Sequence, residues 1–322
     1  MMFYLLILTG LVLFYFTCVY LIKVLEVDIN KPQSRELPDN SYRLVLITKE
    51  LDTPFWDKVK YSAIAAGVRN GANVEVWGSY NGNEQEFLKL MEIAIASKVD
   101  GIIVQGLDTE EFKQLSMYKA TEKGIPIITV ANDVPINDSL RKTYVGSNHY
   151  EAGQMLARQL ILDMGFAGKV IIMASDRQEQ YQRERLNGIL DVLNHYEHVK
   201  TEIIASGNSR ERVVQAMNQI MNTQPNIDGF ITTTASNASA LIQELGKRSQ
   251  VEPYYIYSFD DSPETLTLLQ QGKIDAIISQ SPEVMGSESV NLMVQWLNGT
   301  QLPLNPYGYY TDVRVMKAVA SK

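Results

Sequence analysis

Cysteine is almost missing: the 322 residues contain one, Cys18. No intrachain disulfide can form, so whatever folds here is held by its apolar core. Histidine is scarce as well, with three in the chain. His195 and His198 lie in a polar stretch, and neither they nor His149 sits in a Cys or carboxylate cluster at metal-ligand spacing, so no metal is expected. An excess of basic charge is also lacking. The net charge is −8 and the pI about 5.1, with Lys and Arg scattered, which excludes a nucleic-acid-binding surface. No nucleophile elbow, Walker loop or dinucleotide glycine fingerprint occurs. Asp260 and Asp261 are adjacent carboxylates rather than a pair straddling a bond. Neither an enzyme nor a cofactor is expected.

What is present describes a packed protein: 45% of residues are hydrophobic and 20% charged. Residues 1–22 carry no charged side chain. As a helix rising about 1.5 Å per residue they would span roughly the 30 Å hydrocarbon core of a bilayer. Cleavage as a signal peptide and lipidation at Cys18 are the alternatives. The first lacks a basic start and a small-residue cleavage site, and the second finds Phe16-Thr17 where small residues belong. The reading adopted is a retained transmembrane anchor over 1–23, followed by a polar, Pro-containing linker over 24–41. Lys23, Lys31 and Arg35 would by themselves keep that flank in the cytoplasm. The fold argument below points the other way and is followed: the domain is expected outside the cell membrane, on a single-pass tether.

From Tyr42 onward, short β-branched runs alternate with helix-length segments. The runs are RLVLIT (43–48), NVEVWG (73–78), DGIIVQG (100–106), IPIITVA (125–131), KVIIMAS (169–175), TEIIAS (201–206), DGFITTT (228–234), YYIYSF (254–259) and IDAIIS (274–279). Several are apolar almost throughout, as strands buried on both faces of a parallel sheet should be. Helical segments fall at 53–69, 83–97, 109–123 and 149–164. This alternation means a doubly wound α/β architecture. It runs through two cycles with parallel phrasing, Val99-Asp100-Gly101-Ile102-Ile103 answering Ile227-Asp228-Gly229-Phe230-Ile231. Two similar lobes are predicted. Ligands of open α/β sheets bind beyond the carboxyl ends of the strands, so two facing lobes put all those ends around one cleft.

The phrases at the strand ends are Leu51-Asp52-Thr53-Pro54-Phe55-Trp56, Gln105-Gly106-Leu107-Asp108, Ile125-Pro126 through Asn132-Asp133, Val145-Gly146-Ser147-Asn148-His149, Gln182-Arg183-Glu184-Arg185, Ser258-Phe259-Asp260-Asp261 and Gln280-Ser281-Pro282. In this order, over about residues 42–315, they resemble the type I periplasmic sugar-binding proteins, particularly the ribose- and galactose-binding group. One departure stands out. Ala131 occupies a position where the family usually has aspartate, and Asp133 is the candidate to replace it.

The resemblance implies two doubly wound parallel-sheet lobes joined by a three-strand hinge. The first would comprise 42–146 and 281–308, the second 147–280 and 309–322. The chain would cross near 131–147, 280–282 and 303–309. It also implies a small sugar, pentose or hexose, as ligand. A sugar presents C–H faces and a ring of hydroxyls, so it needs aromatic planes and planar hydrogen-bonding groups. Phe55 and Trp56 are the aromatic candidates, with core packing the alternative. Arg183, Asp260 and Asp133 are the charged candidates. Arg185 is read as structural, and a helix cap is the alternative for Asp260. Gln105, Asn132 and Gln280 can bond hydroxyls in both directions, and Thr234, Asp108 and Ser147 are as compatible with local capping. A closing receptor of this kind either reports to a membrane sensor histidine kinase or delivers to an ABC permease. A permanent tether raises effective concentration beside its partner and favours the first. A regulator of the lactose-repressor type would need a DNA-binding motif where this chain has its apolar span.

Overall fold

The computed structural model describes residues 13–17, 41–174, 179–206, 210–224, 226–247 and 254–318. Residues 13–17 are helical and belong to a unit of their own, Met1–Asn40. Among the described residues no helix is long and apolar enough to cross a membrane, and most of the expected anchor and linker lies outside them.

Ser41–Lys322 is the second unit. It begins β1 (Arg43–Thr48), α1 (Pro54–Asn70), β2 (Asn73–Gly78), α2 (Glu84–Ala96), β3 (Gly101–Val104) and α3 (Glu110–Lys113), which runs on as a π-helix over Gln114–Ala120. β4 (Ile127–Val130) and β5 (Thr143–Ser147) complete this run. The second run is α4 (His149–Met164), β6 (Ala167–Ala174), α5 (Gln180–Leu193), β7 (His198–Ala205), α6 (Arg210–Thr223) and β8 (Gly229–Thr232), then α7 (Ala235–Lys247), β9 (Tyr255–Phe259), α8 (Pro263–Gln270) and β10 (Ala276–Ser279). α9 (Pro282–Leu297), β11 (Tyr309–Thr311) and β12 (Arg314–Lys317) follow.

The strands form two sheets, ordered β11-β5-β4-β3-β1-β2 and β12-β10-β9-β8-β6-β7. All pairings are parallel except β12 with β10. The expected doubly wound, two-lobed α/β fold is therefore present, and its strands alternate between two cores. Leu44 and Leu46 of β1 face α1 and α9, whereas Val45 and Ile47 face α2 and α3. In the second lobe Val170 and Ile172 pack under α4 and α5, while Ile171 and Met173 pack under α6 and α7. Burial of both faces explains why these strands read as unbroken apolar runs.

Caps fix where the helices begin. Thr53 Oγ1 accepts from Trp56 N ahead of Pro54, Asn83 from Glu86 N, and Asn148 from Glu151 N. Gly124, at φ +70°, closes the helix before β4. β5, β11 and β12 are absent from the runs read in the sequence. β5 (TYVGS) carries too few apolar residues to stand out, and the other two are short edge strands.

The chain passes between lobes after Ser147, through Gln280–Ser281, and between β11 and β12. The last differs from expectation. Tyr309–Thr311 pairs in parallel with Val145–Ser147, so it belongs to the first sheet and the third crossing falls at Asp312–Val313. Two bonds tie the crossings together: Ser147 Oγ to Gln280 Oε1 at 2.7 Å and Ser281 Oγ to the Asp312 carbonyl at 2.9 Å.

α4 and α5 cross on two glycines. A Cβ on Gly153 would run into the Arg185 carbonyl, and one on Gly188 into the Tyr150 carbonyl. Gly188→Ala should therefore lower stability by roughly 1–3 kcal/mol through overpacking. Gly246→Ala, with open space around the added methyl, should be neutral or stabilise its helix by up to about 1 kcal/mol. Urea denaturation of both variants checks the contrast, and equal effects would contradict this packing.

Candidate functional site

The carboxyl ends of both sheets face one another. From the first lobe come Lys49 and Glu50 after β1, Gln105 after β3, and Ala131 to Asp133 after β4. From the second come Glu179 and α5, Thr233 and Thr234 after β8, Asp260 after β9 and Gln280 after β10. Gly106 allows the first set to converge. Its N–H donates to the Asn132 carbonyl at 2.9 Å, and a Cβ there would lie 2.6 Å from that oxygen.

At the centre lies Arg185, only 2% exposed. Its Nη1 donates to the Thr233 carbonyl at 2.9 Å, and both terminal nitrogens reach the Asp260 carboxylate at 3.3–3.4 Å. Its plane rests on Phe259 and Tyr181, 4.2 and 5.0 Å from the ring centres. Nε points at His149 Nδ1, 3.4 Å away, while His149 Nε2 lies 3.0 Å from the Ala131 carbonyl. Because arginine only donates, Nδ1 must accept, and the imidazole is neutral with its proton on Nε2. Burial and the nearby guanidinium both hold the His149 pKa down at about 3.

Asp260 continues the chain of bonds. Gln280 Nε2 donates to it at 2.5 Å, Gln280 Oε1 accepts from Ser147, and the Tyr144 hydroxyl lies 3.0 Å from the carbonyls of both Ser147 and Ala131. The contacts thus close a ring through the hinge: Ala131, His149, Arg185, Asp260, Gln280, Ser147, Tyr144 and back to Ala131. Ala131 and Asp260 occupy equivalent positions, each directly after the corresponding strand of its sheet. Both are left-handed, at φ +63° and +69°, a conformation costing about 1–2 kcal/mol for a residue with a Cβ.

A second set of contacts crosses the cleft itself. Lys49 Nζ pairs with Glu179, which also accepts from Asn132 Nδ2 at 3.3 Å. At the rim Arg183 Nη2 meets Asp108 at 2.6 Å, and Lys58 meets Asp261 at 3.5 Å. Glu50 lies beneath, accepting from Trp56 Nε1 at 3.3 Å. Burial first, and then the Glu179 charge, raise its pKa.

The expected ligand residues divide. Gln105, Asn132, Asp260 and Gln280 converge on the cleft. Gln105 is fully buried; its Oε1 accepts from Thr48 Oγ1 and Lys49 N, while Nε2 has no partner among the described residues. That leaves a buried donor for a ligand oxygen. Phe55 is half-buried and meets Trp56 edge-on at 5.7 Å; Trp56 is almost wholly buried. Arg183 stands at the exposed rim against Asp108, whereas Arg185 is buried and bonded to Asp260. Asp133 does not stand in for the missing family carboxylate. Its oxygens take Arg141 at 2.5 Å and Thr129 at 2.6 Å, holding the β4–β5 connection. Thr234 engages locally, 3.3 Å from Ser236 Oγ, and Ser262 rather than Asp260 caps α8. Lys49, Glu50 and Glu179 were not singled out in the sequence. The signal for the first two was a charged pair directly after a mostly apolar strand.

This geometry matches a known family. Residues 44–301 fit the model of the periplasmic binding protein domain. The chain belongs to the periplasmic binding protein family. Among solved structures of that kind, it is similar to GanP, a glucose-galactose binding protein from Geobacillus stearothermophilus. The identity is 30% and the TM-score 0.80, over 86% of this chain and 98% of that one. A structure of a XylFII-LytSN complex aligns with 26% identity and a TM-score of 0.75, over the same shares of the two chains. The ribose import binding protein RbsB of Bacillus subtilis is 20% identical over 277 residues, 84% of this chain and 88% of the relative. These relatives are binding proteins rather than enzymes.

Two pH effects follow for this periplasmic binding protein. His149 is neutral in the fold but titrates near 6.5 when unfolded. Its contribution is present above pH 6.5 and is lost as the pH falls towards its folded value. Between pH 6.5 and about 4, wild-type stability should fall faster than that of His149→Gln, the difference approaching about 1.4 kcal/mol per pH unit. Parallel denaturation curves would contradict a neutral buried imidazole. Glu50 has the opposite sign, because its folded pKa is raised above the ordinary 4.5. The folded state gains at low pH and loses stability as its buried carboxyl ionises. Glu50→Gln should therefore raise the melting temperature at neutral pH, and that gain should vanish below pH 4.5.

Proposed function

We propose that this protein is an extracytoplasmic receptor that closes on a small sugar, a pentose or hexose, and reports it to a membrane sensor histidine kinase. The similarity to a glucose-galactose binding protein, at 30% identity over nearly all of that chain, carries the sugar reading. The convergence of Gln105, Asn132, Asp260 and Gln280 on one cleft supports it. The amides can donate to and accept from hydroxyls, the carboxylate accepts from them, and Phe55 offers a partly exposed ring. The ligand touches both lobes and so stabilises the closed arrangement by its differential contacts.

The uncharged N-terminal span supports a tethered receptor in the cell membrane, its binding domain outside. A tether confines the receptor beside one membrane partner. The likeness to XylFII, solved as a complex with LytSN, supports a role in which a receptor of this shape works through a second protein. Delivery to an ABC permease is the other reading, favoured by the likeness to a ribose import binding protein.

A thermal-shift screen of residues 41–322 against pentoses, hexoses and inositols should find one sugar that raises the melting temperature. No response to any of them would remove the sugar assignment. Asp260→Ala should abolish that shift while keeping a cooperative melt. Co-purification of the full chain with a histidine kinase, as opposed to a permease, decides between the two partners.

A further inference from the structure

β7 is an edge of the second sheet and one of the two longest strands, eight residues paired on one side to β6. Among the described residues, one peptide group on its other side is taken, Val199 N–H donating to the Tyr196 carbonyl at 3.0 Å, and no strand pairs with that side. Such an edge is a template for another strand unless it is blunted. β7 (HVKTEIIA) has no proline and pairs with β6 without a bulge, so its charged side chains, Lys200 and Glu202, are the blunting devices it carries. Ile203 is 47% exposed on it. Beside it a groove of about 680 Å³ opens between β7 and α6, lined by Glu202, Ile204, Arg212, Gln215 and Gln219 among others.

The sequence of the edge specifies its occupant. Two copies related by a two-fold axis pair antiparallel, and a two-fold perpendicular to the sheet must pass through a residue position, because opposed residues share a face. Centring on Lys200 or on Glu202 sets like charges directly opposite one another, which is destabilising. Centring on Thr201 instead sets Lys200 against Glu202 of the second copy, twice, and Ile203 against Val199, twice. That register satisfies both charges and covers the exposed isoleucine on the other face. Glu202 already accepts a cation at this edge: Lys169 Nζ lies 3.1 Å from it.

We propose that β7 is a homodimer interface, at which two copies of this chain pair antiparallel about Thr201 into one continuous sheet of twelve strands. The interface lies on the outer edge of the second lobe, away from the strand ends that form the cleft. Two receptors can therefore be joined with both clefts open to ligand.

Site-directed cross-linking of the full chain in detergent micelles tests this, with Cys18→Ser as background. Thr201→Cys should form a disulfide-linked dimer on mild oxidation. Ala205→Cys should not, because in this register the two copies of residue 205 lie about 26 Å apart. By sedimentation, Lys200→Glu and Glu202→Lys should each weaken the dimer at least tenfold, and the double variant should restore it. Retention of the cooperative melt shows that each variant folds. The proposal is overturned by equal cross-linking at both positions, by none at Thr201, or by charge swaps that leave the association unchanged. Capture of a different protein at this edge, with the purified chain remaining monomeric, would also overturn it.

Discussion

The structure turns on one buried guanidinium. Taking an arginine out of water costs several kcal/mol unless its donors and its charge are both matched, and Arg185 meets that demand with five residues from four elements. A carboxylate at the end of β9 neutralises it, a carbonyl after β8 and the first imidazole of α4 take further donors, and two aromatic rings flank its plane. Each of these partners is fixed in turn. His149 must be neutral to accept, so its other nitrogen donates to Ala131 in the opposite lobe. Asp260 must face Arg185, so it is placed to receive Gln280 at the hinge. A requirement of local electrostatics thereby becomes the alignment of two lobes.

The cleft itself works on a different balance. Glu50 in the first lobe lies close to Glu179 in the second, with Lys49 the cation between them. Such carboxylates repel unless a cation or a proton intervenes. The two lobes meet across the cleft through a few specific pairs, Lys49 with Glu179 and Arg183 with Asp108. Polar pairs of this kind fix geometry while contributing little net stability at the exposed rim. A ligand that bonds to both lobes can then shift the equilibrium between arrangements.

The architecture was legible because burial leaves a direct trace in composition. Strands covered on both faces are apolar at most positions, which made β1, β3, β4 and β8 stand out. β5, β11 and β12 left no such trace. Their place is set by partners far away in sequence, Tyr309 lying opposite Val145. Of the two neighbouring arginines, the phase of α5 identifies the inner one. Leu186, Ile189 and Leu193 are buried at helical spacing, and Gln182 and Arg185 share that stripe while Arg183 does not.

The sequence by itself determined that two βα lobes would alternate strand and helix, with their strand ends as the place for a site. That follows from periodicity, which is a local property. Only the tertiary structure decided which residues there bond to each other and which remain for a ligand. Asp133 looked like a replacement for the carboxylate missing at Ala131, yet it is held by Arg141 through the turn that joins β4 to β5. Lys49 meets Glu179, 130 positions further along the chain. A hydrogen bond depends on direction and distance in space, and no spacing along the chain encodes either.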